Sequence, residues 1–169
     1  RGVMREETLT DGVGLFATEI PTITVRSKKG LRYNVPHITD IVPKSLFDKT
    51  FGTISLDGEL YIHGKRLNEI KSAVPQLRDN GIVDNSSNLH LIPYITFCVF
   101  DLAVEDMPQS DRIVRLDIIK AILAENNITT IQVVPHVIVY NDAEVYELAN
   151  KWVAEGYEGV VIRNMEAEY

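Results

Sequence analysis

The chain has 169 residues, of which 45% are hydrophobic and 24% charged, and its formal net charge at pH 7 is −7. This length and composition are sufficient for one globular domain with a sizeable core. The acidic balance argues against a free-standing nucleic-acid binder, which normally carries a basic surface, unless that surface is local or belongs to another domain.

Membrane insertion, secretion and zinc binding are not predicted. No apolar run approaches the roughly 20 residues of a membrane span, and there is no signal-peptide pattern. Cys98 is the only cysteine, which excludes an internal disulfide and fits a reducing compartment. We therefore expect an intracellular protein, cytoplasmic or nuclear or viral, that is not secreted and is monomeric.

The first half of the chain predicts short strands joined by turns and two helices. Residues 15–17, 23–25 and 54–62 have the composition of strands. A short helix is predicted near residues 42–49. A second helix begins at residue 67, where apolar residues recur at helical spacing, and Pro75 should kink or end it.

The second half alternates strands with longer helices. Residues 95–102 form an apolar run too continuous for a strand with one wet face, so they should lie in the middle of a sheet. An apolar helical face follows over residues 113–123. Residues 131–140 predict a strand broken by Pro135, and Asn141 with Glu144 predicts the capped start of a helix. This order of elements predicts an α+β fold.

Two carboxylates flank a glycine in the third predicted strand. Asp57 and Glu59 would point to the same face because side chains alternate along a strand. Such an arrangement suits a cation or a polar ligand, since like charges repel unless a cation lies between them. The alternative is a strand edge with solvated acids.

A second acid–glycine pair lies near the end of the chain. Glu158 and Gly159 open an apolar segment, predicted to be a strand, that ends at Arg163. Two acid–glycine strands so far apart in sequence suggest that the fold brings them to one shared site.

Three segments resemble motifs of one enzyme superfamily, in the same order. LDGELY at residues 56–61 resembles motif III, FCVFDL at residues 97–102 resembles motif IIIa, and EGVVIR at residues 158–163 resembles motif IV. These motifs are typical of the covalent nucleotidyltransferases, which comprise the ATP-dependent DNA ligases, RNA ligases and mRNA capping enzymes. Tyr169 follows motif IV at a spacing similar to that of several small viral ligases.

The resemblance implies a nucleotidyltransferase (adenylation) domain of the ATP-grasp-like DNA ligase type, with mainly antiparallel sheets flanked by helices. Residues 1–169 would be the interior portion of this domain. Residues 1–4 resemble the end of the motif Lys-x-Asp-Gly-x-Arg, so Arg1 would be its arginine and the nucleophilic lysine would precede it. Motif V and an OB-fold domain would follow Tyr169.

The function implied is that of an ATP-dependent DNA ligase of a small viral or bacteriophage type, which seals nicks in duplex DNA using ATP and Mg²⁺. One alternative is an RNA ligase or capping enzyme, because these share motifs III and IV. Another is a nucleotide-binding remnant without catalysis, because the sequence contains no Lys-x-Asp-Gly.

The resemblance also assigns roles to individual residues. Glu59 and Glu158 would be catalytic, with Glu158 as the Mg²⁺ ligand and Asp57 as a support for Glu59. Phe100 would stack on adenine, although a core phenylalanine is the commoner fate of this residue type in a strand.

Further residues complete the predicted site. The nucleotide, ATP or AMP, would be contacted by Arg1, Arg26, Glu59 and Phe100. Arg26, Lys28 and Arg163 would contact phosphate or DNA, and the motif that carries a basic residue at a strand end aligns with either Arg26 or Lys28. A solvated basic turn and a surface arginine are the alternatives for these positions.

Overall fold

A seven-stranded mixed sheet forms the centre of the domain, with strand order β5-β3-β2-β1-β4-β6-β7. The computed structural model describes residues 1–11, 18–47, 55–77 and 87–169. The strands are β1 (Gly2–Asp11), β2 (Thr18–Ser27), β3 (Arg32–Tyr33), β4 (Leu56–Tyr61), β5 (Gln76–Leu77), β6 (Thr96–Leu102) and β7 (Ile131–Val133).

Four α-helices flank the described strands. They are α1 (Pro36–Thr39), α2 (Leu67–Ala73), α3 (Gln109–Glu125) and α4 (Asp142–Ala154). Two 3₁₀ helices, Lys44–Phe47 and Leu89–Tyr94, complete the regular elements of the described chain. Among these residues no helix combines the length and the apolar character needed to cross a membrane.

Strand pairing is antiparallel except at one edge. β1 pairs with β2 along its whole length and with β4 through Gly2–Met4, and β4 pairs with β6. β6 and β7 are parallel, which is possible because α3 provides the crossover connection between them. The predicted α+β class with mainly antiparallel pairing is confirmed.

The core lies between the sheet and the helices. Leu116, Ile119 and Leu123 are buried on α3, which packs on β6 and β7. Phe97 and Val99 are fully buried on β6. The prediction of a central strand at residues 95–102 is therefore confirmed, since β6 has a neighbour on both sides.

Local signals at two helices are also confirmed. α2 ends at Ala73, before Pro75, which has no N–H to continue a helical hydrogen bond. α4 begins after Asn141, whose side-chain oxygen accepts a hydrogen bond from the Glu144 N–H at 3.1 Å. The predicted strand at residues 23–25 lies within β2, and the 3₁₀ helix Lys44–Phe47 lies within the helix predicted near residues 42–49.

Two strand predictions need correction. Of residues 131–140 only Ile131–Val133 form a strand, and the segment after Gly156 forms none. Val161 and Ile162 are 81% and 68% exposed. A strand requires a neighbour that satisfies its N–H and C=O groups, and no described strand pairs with residues 157–163. The apolar pattern predicts a strand from the residue types of this segment alone, and it contains no information about whether a neighbouring strand is present. The predicted strand at residues 15–17 lies outside the described residues.

A β-bulge interrupts the pairing of β4 with β6. Asp57 lies opposite Asp101, and Gly58 lies opposite Val99, so Phe100 is the extra residue. A Cβ atom at Gly58 would lie 2.5 Å from the Cys98 carbonyl oxygen and 2.9 Å from the Phe97 ring. Gly58 is therefore required by the close approach of β6 at the bulge.

We predict that Gly58→Ala lowers the free energy of unfolding by about 2 kcal/mol, because the methyl group must displace the backbone of β6. The measurement is urea unfolding followed by circular dichroism. Lys71→Ala, an exposed change on α2, is the control and should stay within about 0.5 kcal/mol of the wild type. A Gly58→Ala protein as stable as the control would contradict the close approach.

Candidate active site

Two buried aspartates lie opposite each other where β4 and β6 pair. Asp57 is 0% exposed and Asp101 is 2% exposed. Buried carboxylates in adjacent register positions repel each other unless cations neutralise them. Arginines from distant parts of the chain supply those cations.

Asp57 is bound by Arg1 and Tyr169. The Arg1 Nε lies 3.0 Å from both carboxylate oxygens, and the Tyr169 hydroxyl donates to one of them at 3.0 Å. The hydrogen bond and charge of Asp57 hold the pKa of Arg1 above its ordinary value, against the opposing effect of burial. Burial first, and then Asp57, raise the pKa of Tyr169, so its hydroxyl stays protonated as a donor. Asp57 is thus bound by residues that lie 56 and 112 positions away in the sequence.

Asp101 is bound by two further arginines. Arg112, buried on α3, donates from Nε to one oxygen at 2.8 Å, and Arg163 donates to the other oxygen. The Leu102 N–H adds a third hydrogen bond at 2.8 Å. The predicted motif IV arginine, Arg163, therefore binds an acid inside this site.

The chain segment after Arg163 is fixed on the start of α3. Arg112 Nη1 donates to the Ala167 carbonyl at 3.2 Å, and the Gln109 and Ser110 N–H groups donate to Ala167 and Met165. These contacts satisfy N–H groups that the first turn of a helix leaves free. They bring Tyr169 to Asp57, although residues 157–163 form no strand.

Two guanidinium groups lie close to the ring of Phe100. The Arg1 and Arg163 guanidinium carbons lie 5.4 and 5.9 Å from the centre of its ring. These are cation–π distances. Phe100 is half-buried, whereas Phe97 on the same strand is fully buried and fills the core. Phe100 is therefore not a core phenylalanine, because side chains alternate along β6 and its ring lies on the face opposite Phe97.

The two glutamates assigned to catalysis are both exposed. Glu59 lies opposite Cys98 in the sheet, and Glu158 follows the end of α4. Tyr61, two residues after Glu59, contacts through its ring Tyr157, the residue before Glu158. The structure thus brings the two acid–glycine segments to one region, as their spacing in the sequence suggested.

Mg²⁺ fits this pair of glutamates only if a substrate supplies the remaining ligands. Across residues 1–11, 18–47, 55–77 and 87–169, no three His, Cys, Asp or Glu side chains converge as a metal site. Mg²⁺ in phosphoryl-transfer enzymes is commonly held by one or two carboxylates together with substrate phosphates. Two exposed carboxylates are consistent with that kind of site.

The two basic candidates at the end of β2 differ in their surroundings. Arg26 binds both oxygens of Glu7 at 2.8 Å and the Gly30 carbonyl at 2.8 Å. Burial would raise the pKa of Glu7, but the hydrogen bonds from Arg26 and Arg5 outweigh it and hold that pKa below its usual value. Lys28 is exposed in the turn after β2. The charge of Arg26 is therefore paired with Glu7, whereas the charge of Lys28 is exposed to solvent.

An aromatic cluster of Tyr61, His63 and Tyr157 was missed by the sequence interpretation. The Tyr61 and Tyr157 rings are nearly parallel, with centres 6.5 Å apart. Tyr157 lies about a hundred positions after Tyr61 and His63, so no local pattern connects them. The only signal in the sequence was that Glu59 lies two residues before Tyr61 and that Glu158 directly follows Tyr157.

Comparisons with known proteins identify one family. The family model described as ATP dependent DNA ligase domain matches residues 17–169. DNA ligases of African swine fever virus, from the Pretoriuskop Pr4 and Malawi Lil 20-1 isolates, are each 32% identical over 117 residues, which is 69% of this chain and 25% of theirs. The chain thus spans about a quarter of the length of these curated relatives.

A structural comparison gives the same fold. A solved structure from a structure-function analysis of Lig E DNA ligases covers 99% of this chain and 57% of its own, with a TM-score of 0.56 and 15% sequence identity. The comparisons name DNA ligases, so they do not favour the RNA ligase, capping or remnant alternatives. Because the family model covers most of the chain, the chain belongs to the ATP-dependent DNA ligase domain family.

Proposed function

We propose that this chain is the interior of an adenylation domain that takes part in ATP-dependent sealing of nicks in duplex DNA. The observation that carries the proposal is Phe100, which lies on the face of β6 opposite the core and contacts two guanidinium groups through its ring. A flat aromatic surface beside cations suits a nucleotide, because the base can stack and the cations can bind phosphate.

The reaction would proceed in three steps. A lysine amine attacks the α-phosphate of ATP and releases pyrophosphate, the AMP passes to the 5′-phosphate of a nick, and the 3′-hydroxyl displaces AMP. The resemblance places the lysine before Arg1. Such phosphoryl transfers depend on positioning and on neutralising charge more than on general bases.

Different residues of this chain would bind the base, the phosphates and the metal ion. Phe100 stacks on adenine, Glu59 contacts the nucleotide, and Arg1 and Arg163 lie close enough to the ring to meet its phosphates. Glu158 would hold Mg²⁺, which supplies positive charge to the phosphates when bound. Asp57 and Asp101 orient the arginines and hold them beside Phe100, because each carboxylate binds at least one of them.

The test of this proposal is formation of a covalent adenylate. A longer protein that includes this chain and the preceding lysine would be incubated with α-labelled ATP and Mg²⁺. Label that remains on the protein after denaturation, and then passes to nicked DNA in preference to RNA, supports the proposal. Absence of label from both ATP and GTP, after removal of any bound AMP, would favour the remnant without catalysis.

Glu158→Gln is predicted to reduce adenylate formation by at least about 100-fold, because the side chain keeps its size and loses the charge that Mg²⁺ needs. The measurement is the initial rate of labelling at several Mg²⁺ concentrations. Glu155→Gln, an exposed change at the end of α4, is the matched control and should label at the wild-type rate. A normal rate for Glu158→Gln would remove this residue from the metal site.

Phe100→Ala should raise the ATP concentration for half-maximal labelling by about 10- to 100-fold, since stacking on an aromatic ring contributes about 1–3 kcal/mol per base. Phe97→Ala is the contrast, because it should lower the free energy of unfolding by about 3–5 kcal/mol. Steady-state labelling and urea unfolding measure the two effects. Equal losses of stability in both variants would mean that Phe100 acts as a core residue.

For the DNA contact, Lys28→Ala and Arg26→Ala should have different effects. Lys28→Ala should weaken binding to nicked duplex and reduce the salt dependence of binding by about one counterion, without loss of stability. Arg26→Ala should lower the free energy of unfolding by about 1–3 kcal/mol, because Glu7 loses two charge-assisted hydrogen bonds even though Arg5 still binds it. Fluorescence anisotropy at several salt concentrations, with urea unfolding, separates them. An unchanged salt dependence in Lys28→Ala would exclude that phosphate contact.

Other properties of the whole protein stay predictions. We also propose that the whole protein is intracellular and monomeric, which fits a ligase that acts on DNA.

A further inference from the structure

The aromatic cluster of Tyr61, His63 and Tyr157 connects two segments that no strand pairing connects. The planes of Tyr61 and Tyr157 differ by 15°. The His63 ring meets Tyr157 edge-on at 5.3 Å and Tyr61 at 6.1 Å, and its Nδ1 lies 2.9 Å from the Tyr61 hydroxyl. Aromatic pairs at such distances and angles attract each other beyond the area that they bury.

The end of α4 fits closely against this cluster. Gly156 follows the helix with φ +93°, and a Cβ atom there would lie 3.3 Å from two atoms of the His63 ring. The Tyr157 N–H donates to the Trp152 carbonyl at 3.0 Å, which fixes the turn that leaves the helix. The direction in which the chain enters Glu158 is therefore set by a glycine turn and by ring contacts.

Each tyrosine of the cluster is next to one of the exposed glutamates. Tyr61 lies two residues after Glu59 on β4, and side chains two apart on a strand share a face. Tyr157 directly precedes Glu158. In the described sheet no strand pairs with residues 157–163, so no β-ladder fixes Glu158 relative to β4.

We propose that Tyr61 and Tyr157 are positioning residues, whose ring contact holds Glu158 beside Glu59 so that both carboxylates face one divalent cation and its phosphate ligands. This inference rests on the proposed function. His63 supports the contact by bonding the Tyr61 hydroxyl and by packing against Gly156 and Tyr157. If the ring contact is lost, the Glu158 carboxylate is still present, but it is no longer held beside Glu59.

The first test is the Mg²⁺ dependence of adenylation in the longer protein. Tyr157→Ala should raise the Mg²⁺ concentration for half-maximal labelling by about fivefold, the effect of losing one aromatic pair. The ATP concentration for half-maximal labelling at saturating Mg²⁺ should stay unchanged, because Phe100 is untouched. Tyr157→Phe keeps the ring and should restore the wild-type Mg²⁺ dependence. Tyr146→Ala removes a tyrosine that is 70% exposed on α4, and is the matched control.

The second test measures cation binding without catalysis, in the presence of AMP, which supplies phosphate oxygens as the remaining ligands. Tb³⁺ prefers carboxylate oxygens and emits when nearby tyrosines absorb, so titration of its emission gives an affinity. Tyr157→Ala should weaken Tb³⁺ binding by about fivefold, and Tyr157→Phe should bind like the wild type. Tyr157 is 47% exposed, so the substitution is compatible with folding, and the melting temperature checks this.

The outcomes separate this inference from the proposed function. A slow Glu158→Gln enzyme together with a wild-type Mg²⁺ dependence and Tb³⁺ affinity in Tyr157→Ala would overturn the positioning role and leave the function standing. A Tyr157→Phe variant as impaired as Tyr157→Ala would also overturn it, because the ring is kept. Normal labelling by Glu158→Gln would instead contradict the metal assignment on which the inference rests.

Discussion

The opposition of Asp57 and Asp101 across the β4–β6 pair is the constraint on which the rest of the site depends. Two buried carboxylates at adjacent register positions are unfavourable alone, and removing one partner of a buried ion pair costs about 3–5 kcal/mol. The protein satisfies them with Arg1, Arg112 and Arg163, taken from three separate segments. The need to neutralise these acids therefore also brings Arg1, the start of α3 and the segment that contains Arg163 together.

The same pair of strands also carries Phe100, whose ring lies close to the guanidinium groups of Arg1 and Arg163. Side chains alternate along β6, so the ring of Phe100 lies on the face opposite the one on which Phe97 and Val99 are buried. Gly58 permits the close approach of β6, since a larger residue would collide with the Cys98 carbonyl. The arginines held by the aspartates then lie over the ring. Fold stability and the candidate site thus share one set of contacts, and substitutions there will affect both.

Several elements could be predicted because local chemistry determines them. Pro75 ends α2, Asn141 caps α4, and the continuous apolar run at residues 95–102 occupies the middle of the sheet. The strand predicted after Gly156 was wrong because a strand depends on a neighbour as well as on its own residues. The aromatic cluster could not be predicted, since Tyr61 and Tyr157 are far apart in the sequence and their rings meet only in the folded chain.

The sequence alone determined the class of protein and most of the candidate site residues. It could do so because three short motifs, in a fixed order, contain the residue types that are typical of one family. It identified Glu59, Phe100, Glu158 and Arg163 without showing what each contacts. Only the tertiary structure decided that Arg26 is bound by Glu7, that Arg163 binds Asp101, and that Phe100 is outside the core. The physical reason is that charge pairing and burial depend on distances between segments far apart in the chain, and residue types do not encode these distances locally.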